Sequence, residues 1–172
     1  KVSTGKSEEN NFVREADKTF RIFISRDGRW YYNGQEIIHE RVLKFLSHHL
    51  QRNSKGEHYI AVKGERRPVD VEETPLLVDI VSLGQESAET FRLFLNDGSE
   101  EVLQPETLTI DERDNVYCWV KDKKLEARFK KTSYIELAKY LQHDEVLDRY
   151  FLPLNGERHY LKRREKDENG VQ

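Results

Sequence analysis

Cysteine is nearly absent: Cys118 is the only one among 172 residues. A lone thiol rules out an internal disulfide framework and any cysteine-rich zinc site, and it fits a reducing compartment. Set between Tyr117 and Trp119 in a strand pattern, with no second cysteine or helix start beside it, it reads as a packed, inert thiol. Methionine is missing even at position 1, which leaves open where the natural chain starts. No apolar run approaches the roughly 18 to 20 residues that cross a bilayer, and the opening KVSTGKSEENN lacks the apolar core of a signal peptide. The expectation is a cytoplasmic protein without a membrane partner. A dominant charge is lacking too: 35% of the residues are charged, yet the net charge is only −3. Mixed acids and bases make a solvated surface and leave no basic footprint for nucleic acid.

Signature motifs are missing as well. There is no G-x-x-x-x-G-K-[ST] phosphate loop, no G-x-G-x-x-G after a strand, no G-x-S-x-G elbow and no Cys/His zinc spacing, so no cofactor and no standard catalytic chemistry is implied. His39, His48 and His49 do not supply a metal site. Leu43 stands where a His-Glu-x-x-His motif needs its second histidine, and helical neighbours His48 and His49 point about 100° apart.

What is present is a run of short periodic segments. FRIFIS alternates from Phe20, and RDGRWYYNGQEI packs the turn pairs Asp27-Gly28 and Asn33-Gly34 around Trp30, Tyr31 and Tyr32, which predicts a small meander. From Glu40 the period changes. Val42, Leu43, Phe45, Leu46, His49 and Leu50 fall on one face of a helix. HYIAV and RPVDV return to strand, with Pro68 favouring an edge position. After Pro75 come LLVDIVSL, the turn GQES, ETFRLFL, the turn NDGS, NVYCWV, the turn KDKK and LEARF. TSYIELAKYL is a second helix, with Thr132 or Ser133 as its N-cap and Ile135, Ala138 and Leu141 on one face. YFLPL, Asn155-Gly156 and RHYLK close the pattern as a hairpin. The strand, helix and hairpin order is used twice: the Arg-Asp pairs at 26 and 113 lie 87 residues apart and the Gly-Glu-Arg triplets at 64 and 156 lie 92 apart.

The stretches RDGRWYYNGQEI, RVLKFLSHHL, ERRPVDVEETP and KLEARFKKTSYIELAKYL, in this order over most of Phe20 to Leu161, resemble the bacterial domain-of-unknown-function family 1285. The resemblance implies two duplicated α+β domains, the second like a pleckstrin-homology-type barrel. It also implies a small ligand, nucleotide-based among the options, held between the domains in a signalling or stress-response setting, with no catalysed reaction attached. Glu73 and Leu76 stand where Asp and Phe are usual, and His39 where Arg is common.

The expected organisation is a flexible tail over 1–18, an N-terminal α+β domain over 19–75, a C-terminal one over 76–164 and a tail over 165–172, each domain being mostly antiparallel strands with one main helix. Candidate ligand contacts are weighed against packing roles. Trp30 and Tyr32 share one strand face, so they either pack a core or offer a stacking platform. Glu72 and Glu73 face opposite sides near the domain junction, one into a cleft or both on a solvated edge. Arg128, Lys130 and Lys131 precede the second helix and suit an anion site at its N-terminus, although a solvent-facing strand end explains them equally. The expected function is a non-catalytic sensor that binds a small anionic, nucleotide-like ligand between the domains. Arg128 and Lys130 hold the anion, Trp30 or Tyr134 gives a ring contact, Glu72, Glu73 or Arg66 bonds polar groups, and a signalling protein is the further partner. The alternatives are an adaptor that accepts a partner strand at ETFRLFL, and a nucleotide hydrolase using cleft carboxylates.

Overall fold

The chain first reverses at Arg26 to Arg29, between strands β1 (Ile22–Ile24) and β2 (Trp30–Tyr32), and again at Asn33-Gly34, between β2 and β3 (Gln35–Glu36). Asn33 and Gly34 take φ of 48° and 81°, the paired left-handed conformation of a tight hairpin turn. The structure, a computed structural model, describes residues 21–84 and 89–165. The tail expected over 1–18 lies outside them, as do all but the first residue of the tail at 165–172 and of the turn at 84–87.

Helix α1 (Glu40–His49) follows, then β4 (Leu50–Arg52), β5 (His58–Val62) and β6 (Glu65–Val71). These strands form one sheet in the order β3-β2-β1-β6-β5-β4, with β6 parallel to β1. Ile24, Trp30, Leu50, Ile60 and Val69 are buried on one face, and α1 adds Leu43 and Leu46. Val42 and Phe45, expected inward, are exposed, so the helix presents a narrower apolar stripe to the core than its periodicity predicts. Pro68 is not on an edge, since β6 lies between β1 and β5. The Glu72 N–H bonds the Ile24 carbonyl, and counting back by twos points the Pro68 nitrogen toward β1, one place beyond where that described ladder begins at Ile22 and Val69. A missing N–H there interrupts no described ladder bond.

The second part opens with β7 (Leu76–Gly84), β8 (Thr90–Leu95) and β9 (Glu100–Val102), then a 3-10 turn at Pro105–Thr107 and β10 (Thr109–Ile110), β11 (Val116–Val120) and β12 (Leu125–Phe129). Helix α2 (Lys131–Ala138) precedes β13 (Gln142–Asp144), β14 (Arg149–Leu154), β15 (Glu157–Tyr160) and β16 (Lys162–Arg163). Seven strands run β16-β10-β11-β12-β7-β8-β9, and β13-β14-β15 form a third sheet. ETFRLFL is therefore interior, because β8 is paired on both sides, and β9 is the edge. The α2 N-cap is Lys130, two or three residues earlier than the expected Thr132 or Ser133. Ser133 lies inside the helix, where its hydroxyl donates to the Val78 carbonyl at 2.7 Å and so docks α2 on β7. That rotation buries Ser133 and Leu137 and leaves Ile135 49% exposed, against the expected face.

The described residues thus form a mixed α+β fold with two α-helices and strands in three sheets. Within the second part the run from β10 to β16 follows the same connections as β1 to β6: hairpin, helix, hairpin, and a last strand parallel to the first, whereas β7 to β9 stand outside that run. The registers agree residue by residue. Ile24 pairs with Trp30 as Ile110 pairs with Val116, 86 residues on, and the Glu72 N–H meets the Ile24 carbonyl as the Arg164 N–H meets that of Ile110. The two Arg-Asp pairs, 87 apart, are out of this register by one; the turn residues that coincide are Gly28 and Asp114, both at positive φ. The apolar core is continuous across both parts, from Ile24 and Trp30 through Leu76 and Val78 to Leu154 and Leu161.

Candidate functional site

The first turn and the end of β6 meet the second part at a cluster of charges. Glu73 accepts from the Tyr117 hydroxyl at 2.6 Å and from Arg26 Nε at 3.0 Å, and it ion-pairs with Arg128 Nε at 2.8 Å. Arg128 also donates to the Arg26 carbonyl at 2.8 Å, and Glu72 accepts from the Arg26 N–H at 2.6 Å. Side-chain exposures of 16% for Glu73 and 14% for Arg128 make this a largely desolvated pair, in which Glu73 accepts two hydrogen bonds while the buried Arg128 Nε is close to it without hydrogen-bond geometry. Tyr117 is buried, its hydroxyl oxygen also lies 2.9 Å from the Asp111 carboxylate so that its single proton is shared between Glu73 and Asp111, and the Arg164 guanidinium sits over its ring at 4.1 Å. Burial first, then its bonds to the two carboxylates, push its phenol far above the usual tyrosine range. Cys118, buried next to it, has its thiol pushed up by the same desolvation, which suits an inert packed group.

Of the residues singled out in the sequence, Glu72, Glu73 and Arg128 come together here, and their charges are spent on one another and on Arg26. The others lie apart. Lys130 ion-pairs with Asp79 at 2.6 Å, Arg66 stacks over Tyr59 at 4.8 Å, and Tyr134 packs against the core. Trp30 is buried, and its edge helps line a hollow of about 260 Å³ with Gly28, Leu43, Leu76 and Asn96. Tyr31 points to the opposite face, where it meets Phe23 with ring centroids 6.0 Å apart.

The large concavity between the parts lies elsewhere and shares Lys44, Ser47, Asp97 and Gly98 with the Trp30 hollow. It has a volume of about 1230 Å³. One wall is the end of α1 and β4, with Lys44, Phe45, His48, His49 and Arg52; the other is the β8–β9 turn and the β11–β12 turn, with Asp97, Ser99, Lys121, Asp122 and Lys124. Lys44 and His48 share a helix face because they are four residues apart. Arg52 reaches across to the Trp119 ring at 5.1 Å. On the far wall Lys121 is tethered, its ammonium 2.8 Å from Asp97 and 2.6 Å from the Ser99 hydroxyl, and its N–H meets the Glu101 carboxylate. Burial raises the Asp97 pKa, but the bonds from Lys121 and Ser99 outweigh it and hold the carboxyl below its ordinary value; burial wins at Glu101, which is raised. Sequence reasoning missed this cleft. Its one legible signal was the basic turn KDKK, since the distance between α1 and that turn is a tertiary fact. Among the described residues no group of His, Cys, Asp and Glu is placed to hold a metal, and no helix is long and apolar enough to cross a membrane.

Fold and junction together define a two-part α+β protein whose halves are joined by an ion-pair cluster and enclose a cationic cleft. No family model and no curated protein matches the chain. Two solved structures do, both described as DUF1285 family proteins. The one from Silicibacter pomeroyi has a TM-score of 0.69 at 21% identity, covering 83% of this chain and 79% of its own. The one from Shewanella baltica has a TM-score of 0.60 at 18% identity, covering 69% of this chain and 90% of its own. The resemblance to family 1285 is thus carried by the fold.

Proposed function

We propose that this chain is a non-catalytic ligand-binding and regulatory protein that takes a small anionic, nucleotide-like ligand in the cleft between its parts. The observation that carries this reading is the cleft's composition: Lys44, Arg52, Lys121 and Lys124 against Asp97 and Asp122, beside the exposed ring of Phe45. Small-molecule sites favour such concavities between structural units, with a few polar groups fixing orientation. The anion-holding role first given to Arg128 and Lys130 passes to Lys44 and Lys124, because the former are neutralised by Glu73 and Asp79. In the same reading the parts are duplicated domains, 19–75 and 76–164, the second a pleckstrin-homology-like barrel; the matching registers support duplication. A sensor of this kind works in the cytoplasm in signal transduction or a stress response, where ligand-driven closure of the cleft changes what a protein partner meets.

Native mass spectrometry of the protein with a panel of nucleotides and dinucleotides tests this reading. A saturably added small molecule is the expected result, and an unliganded mass across the panel would count against it. The adaptor alternative moves from β8 to β9, the real edge, where Val102 is exposed. It predicts a partner lost when proline replaces Val102, whose N–H points away from β8 because the neighbouring Leu103 N–H bonds the Phe91 carbonyl.

A further inference from the structure

Resting on the cleft reading above, we infer that its ligand is an oligoanion: a chain of at least two phosphate-like groups that bridges the two walls. The cations are split between elements that meet only through the tertiary fold. Lys44 stands on α1, Arg52 on β4, and Lys124 at the end of the β11–β12 turn. Among the described residues, neither the Lys44 nor the Lys124 ammonium has an acidic partner, whereas Lys121 on the same concavity is already matched by Asp97. A single compact anion can neutralise one wall. A chain of anions satisfies both, and each group after the first binds at the high effective concentration set by its covalent neighbour. The volume, about 1230 Å³, also leaves room well beyond one phosphate.

A second observation concerns the backbone of the far wall. Lys121, Asp122 and Lys123 all have positive φ, at 53°, 56° and 62°. Consecutive non-glycine residues in that region are strained, and such strain collects where a surrounding structure holds a loop in a working shape. Here the Lys121 tether to Asp97, Ser99 and Glu101 does the holding, and Lys124 leaves the turn at the cleft wall. The α1 end facing the cleft is its carboxyl end, whose carbonyls disfavour anions. That field fades within the last turn, so the long lysine side chains dominate further out.

The test is calorimetric titration, at one fixed ionic strength, of the whole chain with orthophosphate, pyrophosphate and tripolyphosphate. Wild type is compared with Lys44→Gln, Lys124→Gln and the double variant; both side chains lack acidic partners, so folding should survive, and melting curves check it. Tripolyphosphate is expected to bind about ten-fold or more tighter than orthophosphate. Each single change should remove most of that advantage, and the double change little more. Equal affinity for the three anions overturns the bridging inference while leaving an anion-binding cleft. Tight tripolyphosphate binding that ignores both lysines places the polyanion elsewhere and overturns it as well. No binding of any anion sinks both the inference and the cleft reading.

Discussion

Gly28 and Gly34 have nearly the same backbone, with φ of +81° at each, yet different surroundings. A Cβ at Gly34 would meet nothing within 4 Å, whereas one at Gly28 would come within 2.6 Å of Asn96 Nδ2 and 2.9 Å of Leu77 Cδ1. Gly34→Ala is therefore expected to cost only the left-handed penalty, about 1 kcal/mol, and Gly28→Ala about 1–3 kcal/mol more, because the turn must lift off β7. Urea unfolding of the two variants measures the difference, and equal losses would show that the turn does not bear on the second part. Asp97 gives a pH-dependent counterpart. Its carboxyl is held below the ordinary value when folded, so its stabilisation is present above the unfolded pKa and is lost as pH falls through the folded one. Asp97→Asn should lower Tm at pH 7 and approach wild type as pH falls below the ordinary aspartate range; a gap unchanged with pH would refute the assignment.

At the scale of elements, docking contacts decide which face of each helix turns inward. Ser133 is tied to Val78 on β7, so Ser133→Ala should cost about 1 kcal/mol for the hydrogen bond lost, the Val78 carbonyl keeping the Lys130 N–H. Ile135→Ser, on the exposed side, should stay within about 0.5 kcal/mol. The strand-end cluster offers a stronger case. Glu73→Gln removes the charge between Arg26, Arg128 and Tyr117, and the mostly buried Arg128 is left uncompensated, for an expected loss of about 3 kcal/mol. Arg26→Ala, which removes a side chain that is itself about half exposed, should cost under about 1 kcal/mol. Chemical denaturation would separate the two, and a reversed order would mean that Arg26 rather than Arg128 anchors the joint.

For the whole molecule, the two parts differ in how far each can stand alone. Among the described residues the first part buries Ile24, Trp30, Leu50, Ile60 and Val69, with Thr74 and Pro75 at the junction, and the five apolar side chains belong to a core continuous with the second part. So small a core does not offset the ordering of more than 50 residues. A peptide of residues 19–75 is expected to show no cooperative melt by circular dichroism, while the full chain melts in one transition. A cooperative transition in the peptide would show that the repeat is also a unit of stability.

The sequence alone determined the elements that rest on local chemistry. Asn33-Gly34 and Asn155-Gly156 make tight turns because these residues accept positive φ, and β5, β12 and α1 lie where their periods put them. The strand-helix-hairpin echo was legible too, although only the register of Ile24 with Trp30 and of Ile110 with Val116 corrected its offset by one residue. Tertiary structure decided the rest. It turned α2 so that Ser133 rather than Ile135 faces β7, made β6 and β8 interior strands, and spent Arg128 and Glu73 on each other. It also brought Lys44 to the same cleft as Lys124, 80 residues away. Periodicity fixes which side of an element is apolar within a turn or so, but pairing between distant charges depends on packing that no local pattern encodes.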